Sequence, residues 1–496
     1  MSFTTQTFLF IFFPLSMILY HGIRFLGLNK TFSHFLEKYR IEDLTIIGIS
    51  FVFYSWAFFS DSFRFLIYIF TVFFLGKAIE KYKNFSVAMT VNGEGENNQK
   101  ITAALPILFL SIVIVLFVLI HFKYTGLIAQ AWNFLFRDGI KAKSYLAPLG
   151  ISFITFSAIS YLVDIYRGDA SAGSLIDCAL YLLFFPKVIS GPIVLWKDFS
   201  REIYVRKIDV DSFSSGINRI MIGFSKKLIL ADTFGECIAL ASDAIDVPTS
   251  WGVALLYMLQ IYFDFSGYSD IALGLSNLMG FDFQENFNFP YLSQSITEFW
   301  RRWHISLGKW FREYVYFPLG GSRRSERRTI LNVAIVFTLT GIWHGAGWTY
   351  MLWGMVNGLC NIIEKLVSQK NWYKKTPKII KWLYAMTITF FSWELFRFSS
   401  FSEFTRWFKI MFGRVSFENI PYTWRYYFDN RMIFLVIMGV IGATVFGLPS
   451  IQEKYKNFVK KPMGYAIKEI VFIGLFIISI LFMVNSTYSP FIYFQY

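Results

Sequence analysis

The sequence predicts an all-α, polytopic integral membrane protein, and both its composition and its hydropathy pattern support this fold class. Of the 496 residues, 55% are hydrophobic, 21% are aromatic and only 16% are charged. A soluble domain carries about 25% charged residues, because its surface must be wetted. Apolar runs recur from one end of the chain to the other, and 59 Phe residues supply bulky side chains suited to lipid contact. We therefore expect residues 1–496 to form a single membrane-embedded domain.

The apolar runs give the positions of the spanning helices, since a hydrocarbon core needs about 20 apolar residues per helix. Candidate spans lie at 7–27, 44–59, 63–80, 102–122, 145–163, 176–194, 217–236, 251–279, 330–347, 348–364, 379–396, 432–449 and 467–485. Some of them are short or contain proline, so we expect about 10–12 crossings together with re-entrant segments. No Lys or Arg precedes the first run and no small-residue cleavage site follows it, which predicts a retained helix rather than a signal peptide.

The formal net charge of +14 comes mainly from Lys and Arg in short segments between the apolar runs. This placement is typical of topology signals on the cytosolic side, so we expect no nucleic-acid partner. Basic residues after the first run and in segment 77–83 agree on an external N-terminus. Another basic group disagrees with it and predicts either a misplaced span or an interfacial helix; its members are Lys123, Arg137, Lys141 and Lys143. The three cysteines, Cys178, Cys237 and Cys360, show no metal or redox spacing and are expected to be packing residues.

One segment is interrupted at membrane depth. Residues 184–193 (FFPKVISGPI) place Pro186 and Pro192 around Gly191. Proline removes a backbone donor and breaks a helix, and irregular backbone inside a bilayer needs protein or a water-filled cavity around it. The pattern favours a lined cavity, although a kinked helix used only for packing would give the same residues.

Polar residues then appear inside an apolar run. Gln260, Asp264 and Tyr268 stand four residues apart and share one helix face. An ionisable residue in a membrane helix usually faces the protein interior or a wet cavity. Asp264 is therefore either a site residue or a structural anchor between helices.

A strongly basic segment, residues 296–328, follows and mixes Arg and Lys with Trp. This composition places the segment at the cytosolic face. It suits the aromatic belt of a membrane protein, and it equally suits a ligand whose phosphates pair with Arg and whose base stacks on an aromatic ring.

Two histidines are candidates for proton transfer. His344 ends the apolar run 329–344, with a small-residue pair at Gly341 and Gly345. Thr340 lies one turn earlier on the same face, near enough to orient the imidazole. Histidine is the side chain best matched to proton transfer near neutral pH, although a buried histidine is also a common structural residue. His304, in the basic segment, is either a second proton-transfer residue or part of a Trp–His pair that shapes the site. The remaining histidines, His21, His34 and His121, have no polar company in the sequence.

Three motifs resemble the membrane-bound O-acyltransferase (MBOAT) superfamily, and in particular its bacterial branch of alginate and peptidoglycan O-acetylation proteins. They are FWRRWHISL (299–307), YVYFPLGG (314–321) and GIWHGAGWTYMLWG (341–354). Supporting segments lie at 148–168, 184–193, 264–281 and 490–496, so the resemblance covers nearly the whole chain, with a core at about 145–360.

The resemblance implies a funnel-shaped fold in which acyl donor and acceptor meet from opposite sides of the membrane. It implies that His344 is the catalytic histidine and His304 the second one. The expected donor is acetyl-CoA, bound from the cytosol near Arg301, Arg302, Trp303 and Arg312, and no metal is expected. The expected cavity-lining residues are Gln260, Asp264, Tyr268, Thr340, Trp343 and Asn357. The last of these stands where the branch often has a histidine.

The same resemblance implies an acetyl relay in a bacterial cytoplasmic membrane, made directly or through an extracytoplasmic esterase-like partner to a polysaccharide. Two alternatives remain open. A relative in the same superfamily transfers D-alanine from a carrier protein to teichoic acid. A transporter without chemistry would use similar broken helices, but it would not need a buried histidine paired with a cytosolic one.

Overall fold

Helices form most of the part of the chain that the computed structural model describes, namely residues 2–56, 59–91, 104–137, 139–140, 147–241, 245–415, 417 and 420–485. No strand occurs within those residues. The C-terminal motif 490–496 and the basic residues Lys141 and Lys143 lie outside the described ranges. The predicted all-α class is confirmed.

The α-helices follow one another with short connections. The first twelve are α1 (Phe13–Leu26), α2 (Lys30–Lys38), α3 (Ile41–Ser55), α4 (Phe59–Val91), α5 (Ala104–Leu119), α6 (Thr125–Phe136), α7 (Ile151–Arg167), α8 (Leu175–Leu183), α9 (Phe185–Val188), α10 (Trp196–Val205), α11 (Val210–Phe224) and α12 (Asp232–Leu240). The others are α13 (Val247–Leu278), α14 (Ile296–Arg302), α15 (Ile305–Phe311), α16 (Glu326–His344), α17 (Trp348–Val367), α18 (Asn371–Lys375), α19 (Lys378–Arg397), α20 (Phe401–Met411), α21 (Trp424–Tyr427), α22 (Asn430–Ala443), α23 (Pro449–Val459) and α24 (Pro462–Asn485). Short π-helical segments precede α1 and link α5 to α6 and α11 to α12.

Five helical stretches among the described residues are long and apolar enough to cross a membrane. They are Phe8–Leu26, Phe59–Lys83, Ala104–Phe136, Asn430–Gly447 and Pro462–Asn485. Large apolar side chains on these helices, such as Phe109 and Phe134, are exposed, as lipid contact requires. The chain is a multi-pass membrane protein. Longer helices such as α13 also carry buried polar side chains, and the total of about 10–12 crossings stays a prediction.

One helical boundary differs from the sequence expectation. We placed a span at 102–122 and treated Lys123 as a loop residue, but the helix continues through Ile120–Tyr124 to Phe136. Lys123 therefore lies within the helix, where its amine is 3.4 Å from the Ser152 hydroxyl. The span predicted at 102–122 therefore ended too early, and the orientation of the chain stays a prediction.

The chain folds into two compact units. The first comprises Met1–Gly216 with Leu275–Gln284, and the second comprises Ile217–Gly274 with Glu285–Tyr496. Both predicted catalytic histidines lie in the second unit. The expectation of a single membrane-embedded domain over residues 1–496 stays a prediction.

The interrupted segment 184–193 lies in the first unit. Pro186 opens α9, a helix of only four residues, and the chain then runs without regular structure to α10. A Cβ on Gly191 would lie 2.5 Å from the Pro186 carbonyl oxygen, which requires glycine at this turn. Irregular backbone is present here, as predicted.

Side chains of neighbouring helices satisfy this irregular backbone. Ser50 of α3 accepts a hydrogen bond from the backbone amide of Phe185 at 3.1 Å. Ser160 of α7 accepts one from the amide of Trp196 at 2.8 Å. The segment is buried throughout, so packed protein surrounds it rather than the lined cavity we expected. Hydroxyl groups on α3 and α7 accept the backbone hydrogen bonds that water would accept in such a cavity.

Candidate active site

His344 is the last residue of α16, and its side chain is buried. The apolar helix therefore ends on this histidine, as the sequence predicts. Three aromatic rings surround the imidazole, with centroids at 4.7 Å for Trp343, 5.0 Å for Trp353 and 5.2 Å for Phe396. The last two meet it edge to face, at 88° and 83°. This aromatic wall keeps bulk water away from the ring.

Close packing of α16 against α17 brings Trp353 to this histidine. Gly341 faces Gly354, and a Cβ on either glycine would meet backbone atoms of the opposite helix. The sequence predicted a small-residue contact at Gly341 and Gly345. Gly341 fulfils that role, whereas Gly345 lies beyond the helix end against the ring of Tyr350.

Thr340 does not donate a hydrogen bond to His344. Its hydroxyl donates to the carbonyl oxygen of Val336 in its own helix, at 2.8 Å. We expected this threonine to orient the imidazole. In a helix, however, the carbonyl four residues earlier is the nearest acceptor for a threonine hydroxyl. The aromatic neighbours pack against the imidazole on several sides.

His304, the second predicted histidine, is the N-cap residue immediately before α15 and is also buried. Its backbone adopts the left-handed conformation, with φ at 46° and ψ at 54°. Phe265 of α13 packs edge-on against the imidazole with centroids 4.7 Å apart. Burial lowers the pKa of His304 to about 3, so the imidazole is neutral at physiological pH.

Asn286 makes the closest polar contact to His304, and sequence reasoning missed it. Its Oδ1 lies 3.1 Å from the Nδ1 of His304 and accepts a hydrogen bond from the Ser306 hydroxyl at 2.9 Å. Its Nδ2 donates to the Ser269 hydroxyl at 3.1 Å. In the sequence, Asn286 is one of several polar residues in the segment QENFNFP (284–290). Such a segment predicts a turn, but it does not indicate a function.

Trp343 connects the two histidines. Its ring centroid lies 4.7 Å from that of His344 and 6.3 Å from that of His304. The structure therefore brings together two histidines that stand 40 positions apart in the chain. The predicted cavity-lining position of Trp343 corresponds to a buried ring between two candidate catalytic side chains.

Asn357 braces the aromatic wall. Its Oδ1 accepts a hydrogen bond from the indole of Trp300 at 3.2 Å, and its Nδ2 donates to the Ser392 hydroxyl at 2.8 Å. Trp300 in turn packs edge-on against Trp353, at 5.4 Å. Asn357 thus connects α14, α17 and α19 behind the ring that contacts His344, and both ends of its amide are occupied.

Asp264 forms part of a buried ion network. The Lys227 ammonium lies 2.7 Å from a carboxylate oxygen of Asp264 and 2.5 Å from one of Asp232, and all three side chains are at most 5% exposed. Of the two sequence interpretations, this geometry supports a structural anchor. The neighbouring candidates on the same helix, Gln260 and Tyr268, are also buried, and their role as cavity-lining residues stays a prediction.

The arginines proposed to bind the donor differ in their surroundings. Arg301 and Arg312 are exposed. Arg302 donates to the Glu298 carboxylate at 2.9 Å and to the Asn288 carbonyl oxygen at 3.2 Å. Two of the three guanidinium groups are therefore available to an anionic ligand without breaking an ion pair that the structure gives.

Trp303 is not exposed with these arginines. It is 1% exposed, and its ring stacks on Phe299 at 5.6 Å and contacts Trp393 at 4.8 Å. A buried indole cannot stack on a nucleotide base at the surface.

Two cavities stand out among the described residues, and neither contains a predicted catalytic residue. The larger, of about 720 Å³, lies in the first unit and is lined by charged residues that include Arg24, Arg40 and Arg206. The smaller, of about 350 Å³, lies in the second unit and is lined partly by Asp232 and Arg431. The open path that we expected to reach both histidines is absent from this pair of cavities, because aromatic side chains fill the space around the rings.

Residues 53–401 match the profile of a family described as MBOAT, membrane-bound O-acyltransferase family. The chain is 33% identical to "Probable alginate O-acetylase AlgI" of Azotobacter vinelandii, over 100% of both chains. It is 31% identical to "Peptidoglycan O-acetyltransferase" of Helicobacter pylori, over 56% of this chain and 59% of the relative. It is 34% identical to "Teichoic acid D-alanyltransferase" of Streptococcus thermophilus, over 48% of this chain and 60% of the relative. The family match includes both buried histidines.

Proposed function

Because this chain belongs to the membrane-bound O-acyltransferase family and is an O-acyltransferase, we propose that it transfers an acetyl group from cytosolic acetyl-CoA for O-acetylation of an extracytoplasmic polysaccharide. The relatives named for alginate and peptidoglycan O-acetylation support the acetyl group and the polysaccharide acceptor. They come from bacteria, which supports a location in the bacterial cytoplasmic membrane.

The observation that carries the proposal is the placement of His304 and His344 against one Trp343 ring. Acetyl transfer forms a C–O bond to the acceptor oxygen and breaks the C–S bond of the thioester. The acceptor hydroxyl loses a proton and the leaving thiolate gains one. Two imidazoles in an aromatic, water-poor site suit this proton movement. We assign the hydroxyl proton to His344 as general base.

The donor end of the site is proposed to be the basic segment. Acetyl-CoA carries phosphate groups, and guanidinium groups bind phosphate with charge-assisted hydrogen bonds. The exposed Arg301 and Arg312 are suited to this contact. Arg302 would have to give up its bond to Glu298, so we expect it to contribute less.

Access to the histidines requires movement of aromatic side chains. Both imidazoles are covered in this structure, and Phe396 and Trp353 close the space beside His344. We propose that entry of the thioester displaces one of these rings. The acetyl group then passes to the polysaccharide, directly or through an esterase-like partner.

A second candidate function is transfer of D-alanine from a carrier protein to teichoic acid. The similarity to the D-alanyltransferase of Streptococcus thermophilus favours it. That alignment covers only 48% of this chain, whereas the alginate relative aligns over all of it. We therefore place acetyl transfer first.

The test is reconstitution of the purified protein in proteoliposomes with labelled acetyl-CoA on the cytosolic side. Release of free CoA is measured by mass spectrometry, and label is followed into alginate or peptidoglycan fragments on the other side. The assay is run with and without an added esterase-like acetyltransferase. The His344→Ala variant serves as the control for background hydrolysis.

Release of CoA that depends on His344 and on the acceptor supports the proposal. Label that reaches the polysaccharide only with the added partner supports the relay form. If acetyl-CoA is untouched while a D-alanyl carrier protein is consumed, the second candidate is correct and the proposed donor is wrong.

A further inference from the structure

Asn286 is fastened to the start of α15 through its backbone. Its carbonyl oxygen accepts a hydrogen bond from the Ile305 amide at 2.9 Å. Two residues along the loop, the Asn288 amide donates to the carbonyl oxygen of Arg302, also at 2.9 Å. These two bonds lay the loop alongside residues 302–305 and set the Asn286 side chain beside the imidazole of His304.

The orientation of the Asn286 amide follows from its donors. The backbone amide of Ser306 points at Oδ1 from 3.3 Å. A backbone N–H can only donate, so the atom that receives it is the oxygen and not the nitrogen. The Nδ2 group then faces the Ser269 hydroxyl, which accepts at 3.1 Å.

The oriented amide determines the tautomer of His304. Because Oδ1 of Asn286 only accepts, the Nδ1 of His304 at 3.1 Å must carry a proton and donate it. In a neutral imidazole the other nitrogen, Nε2, then holds a lone pair. The Nε2 atom is buried and has no hydrogen-bond partner among the described residues.

Two features of His304 lower the stability of the fold. A left-handed backbone costs a non-glycine residue about 1–2 kcal/mol. A buried polar atom without a partner costs about 1–3 kcal/mol. His304 carries both features, and strain of this kind clusters at functional sites. The observations that argue for a role are thus independent of the aromatic contacts around the ring.

We propose that Asn286 is the positioning residue of His304: it holds the imidazole in the Nδ1–H form, so that Nε2 is the atom that exchanges a proton with the reacting groups. This inference rests on the proposed acyl transfer for its chemical meaning. In each turnover His344 takes the proton that the acceptor hydroxyl releases as the C–O bond forms, and Nε2 of His304 receives this proton in turn. That proton is passed to the sulfur freed by C–S cleavage, so the imidazole returns to its starting form.

The uncharged surroundings of His304 make this role testable by pH. The ring contacts Phe265, Asn286, Ser306 and Trp343, none of which is ionised. Carboxylates on the packed elements belong to ion pairs: Asp264 with Lys227, Asp270 with Lys226 and Glu285 with Arg219. A carboxylate placed at position 286 would therefore be the first charge to touch the ring.

Two substitutions separate positioning from packing. Asn286→Ala removes the acceptor and allows the other tautomer, so kcat should fall by about 100-fold, which is the usual scale of positioned proton transfer. KM for acetyl-CoA should change little. Asn286→Asp keeps the acceptor and the shape but raises the pKa of His304, since a carboxylate favours the imidazolium. The base is lost as pH falls through its pKa, so the acidic limb of the kcat profile should move to higher pH.

Asn332→Ala is the matched control. Asn332 is also fully buried and donates to backbone carbonyls at Gly321 and Leu319. It lies outside the site, so its loss should lower thermal stability and leave the pH profile unchanged. A general packing effect at position 286 would give that same pattern.

A second readout does not depend on catalysis. In protein labelled with ¹⁵N-histidine, with His304→Gln used for assignment, the resting His304 should show a protonated Nδ1, and Asn286→Ala should abolish this preference. A folded Asn286→Asp protein with the wild-type pH profile, or a wild-type His304 protonated on Nε2, overturns the inference. If no acyl donor is consumed but the Nδ1–H tautomer is found, the proposed function fails while the role of Asn286 in fixing the tautomer stands.

Discussion

Substitution of Gly341 by alanine should separate α16 from α17 and destabilise the protein. A Cβ at this position would lie against the Tyr350 carbonyl oxygen, and 3.2 Å from the Cα atoms of Met351 and Gly354. All three neighbours are backbone atoms, so none can rotate away. The two helices must move apart, and Trp353 would move away from His344 with them.

The size of the effect follows from two opposing terms. Overpacking of a tight contact costs about 1–3 kcal/mol. Alanine in place of glycine within a helix gains about 0.5–1 kcal/mol from the lower entropy of the unfolded chain. Gly474→Ala in α24 is the matched control, because a Cβ there meets nothing within 4 Å. The difference between the two variants cancels the helix term and should equal the overpacking cost of about 1–3 kcal/mol.

The assay is reversible unfolding in mixed detergent and SDS micelles, followed by tryptophan fluorescence, with acyl transfer measured on the same samples. Gly341→Ala should unfold at lower SDS than Gly474→Ala and lose activity at temperatures where it is still folded. Equal stability of the two alanine variants would refute the close contact between α16 and α17.

Three further outcomes are expected. His344→Ala should abolish acyl transfer while the protein still inserts and folds, because the general base is lost; product formation near the wild-type level would contradict its role. Arg312→Ala should weaken use of acetyl-CoA by about ten- to a hundredfold, because about 1.5–3 kcal/mol of charge-assisted hydrogen bonding is lost. Arg302→Ala should weaken it less. If the dependence of rate on donor concentration is unchanged in both variants, the two arginines serve only as topology signals. Lys227→Met should destabilise the fold by about 3–5 kcal/mol, because it leaves the carboxylate of Asp264 buried and unpaired. The measurement is a thermal unfolding scan in detergent, and wild-type stability of the variant would contradict the ion network.

The sequence was a good guide to the helices, because membrane helices carry their signal locally. A run of apolar residues reports lipid contact whatever the rest of the chain does. The helix Phe8–Leu26 therefore lies close to the predicted span 7–27, and α16 ends on His344 as expected. The prediction failed at Lys123, where one charge was taken to end a helix that in fact continues. A long side chain can reach a polar partner on a neighbouring helix, and the hydropathy of the sequence does not show which residue that partner is.

Contacts between residues that are far apart in the chain could not be predicted from the sequence. The Asp264 carboxylate suggested either chemistry or anchoring, and only the position of Lys227, 37 residues earlier, favours anchoring. Trp303 looked like a surface aromatic beside arginines, yet its ring is buried. The side-chain direction on a short helix depends on how the helix docks, which is decided by the other elements.

The sequence by itself determined the membrane class and the family, and it singled out His304 and His344 as candidate catalytic residues, since residue types and local spacing carry these signals. Only the tertiary structure decided that His304 and His344 share one tryptophan, that the Asn286 amide lies 3.1 Å from one imidazole nitrogen of His304, and that packed aromatic rings cover the site. The physical reason is that a tautomer and an aromatic wall are set by hydrogen bonds and van der Waals contacts across the fold. Such contacts join residues that are far apart in the sequence.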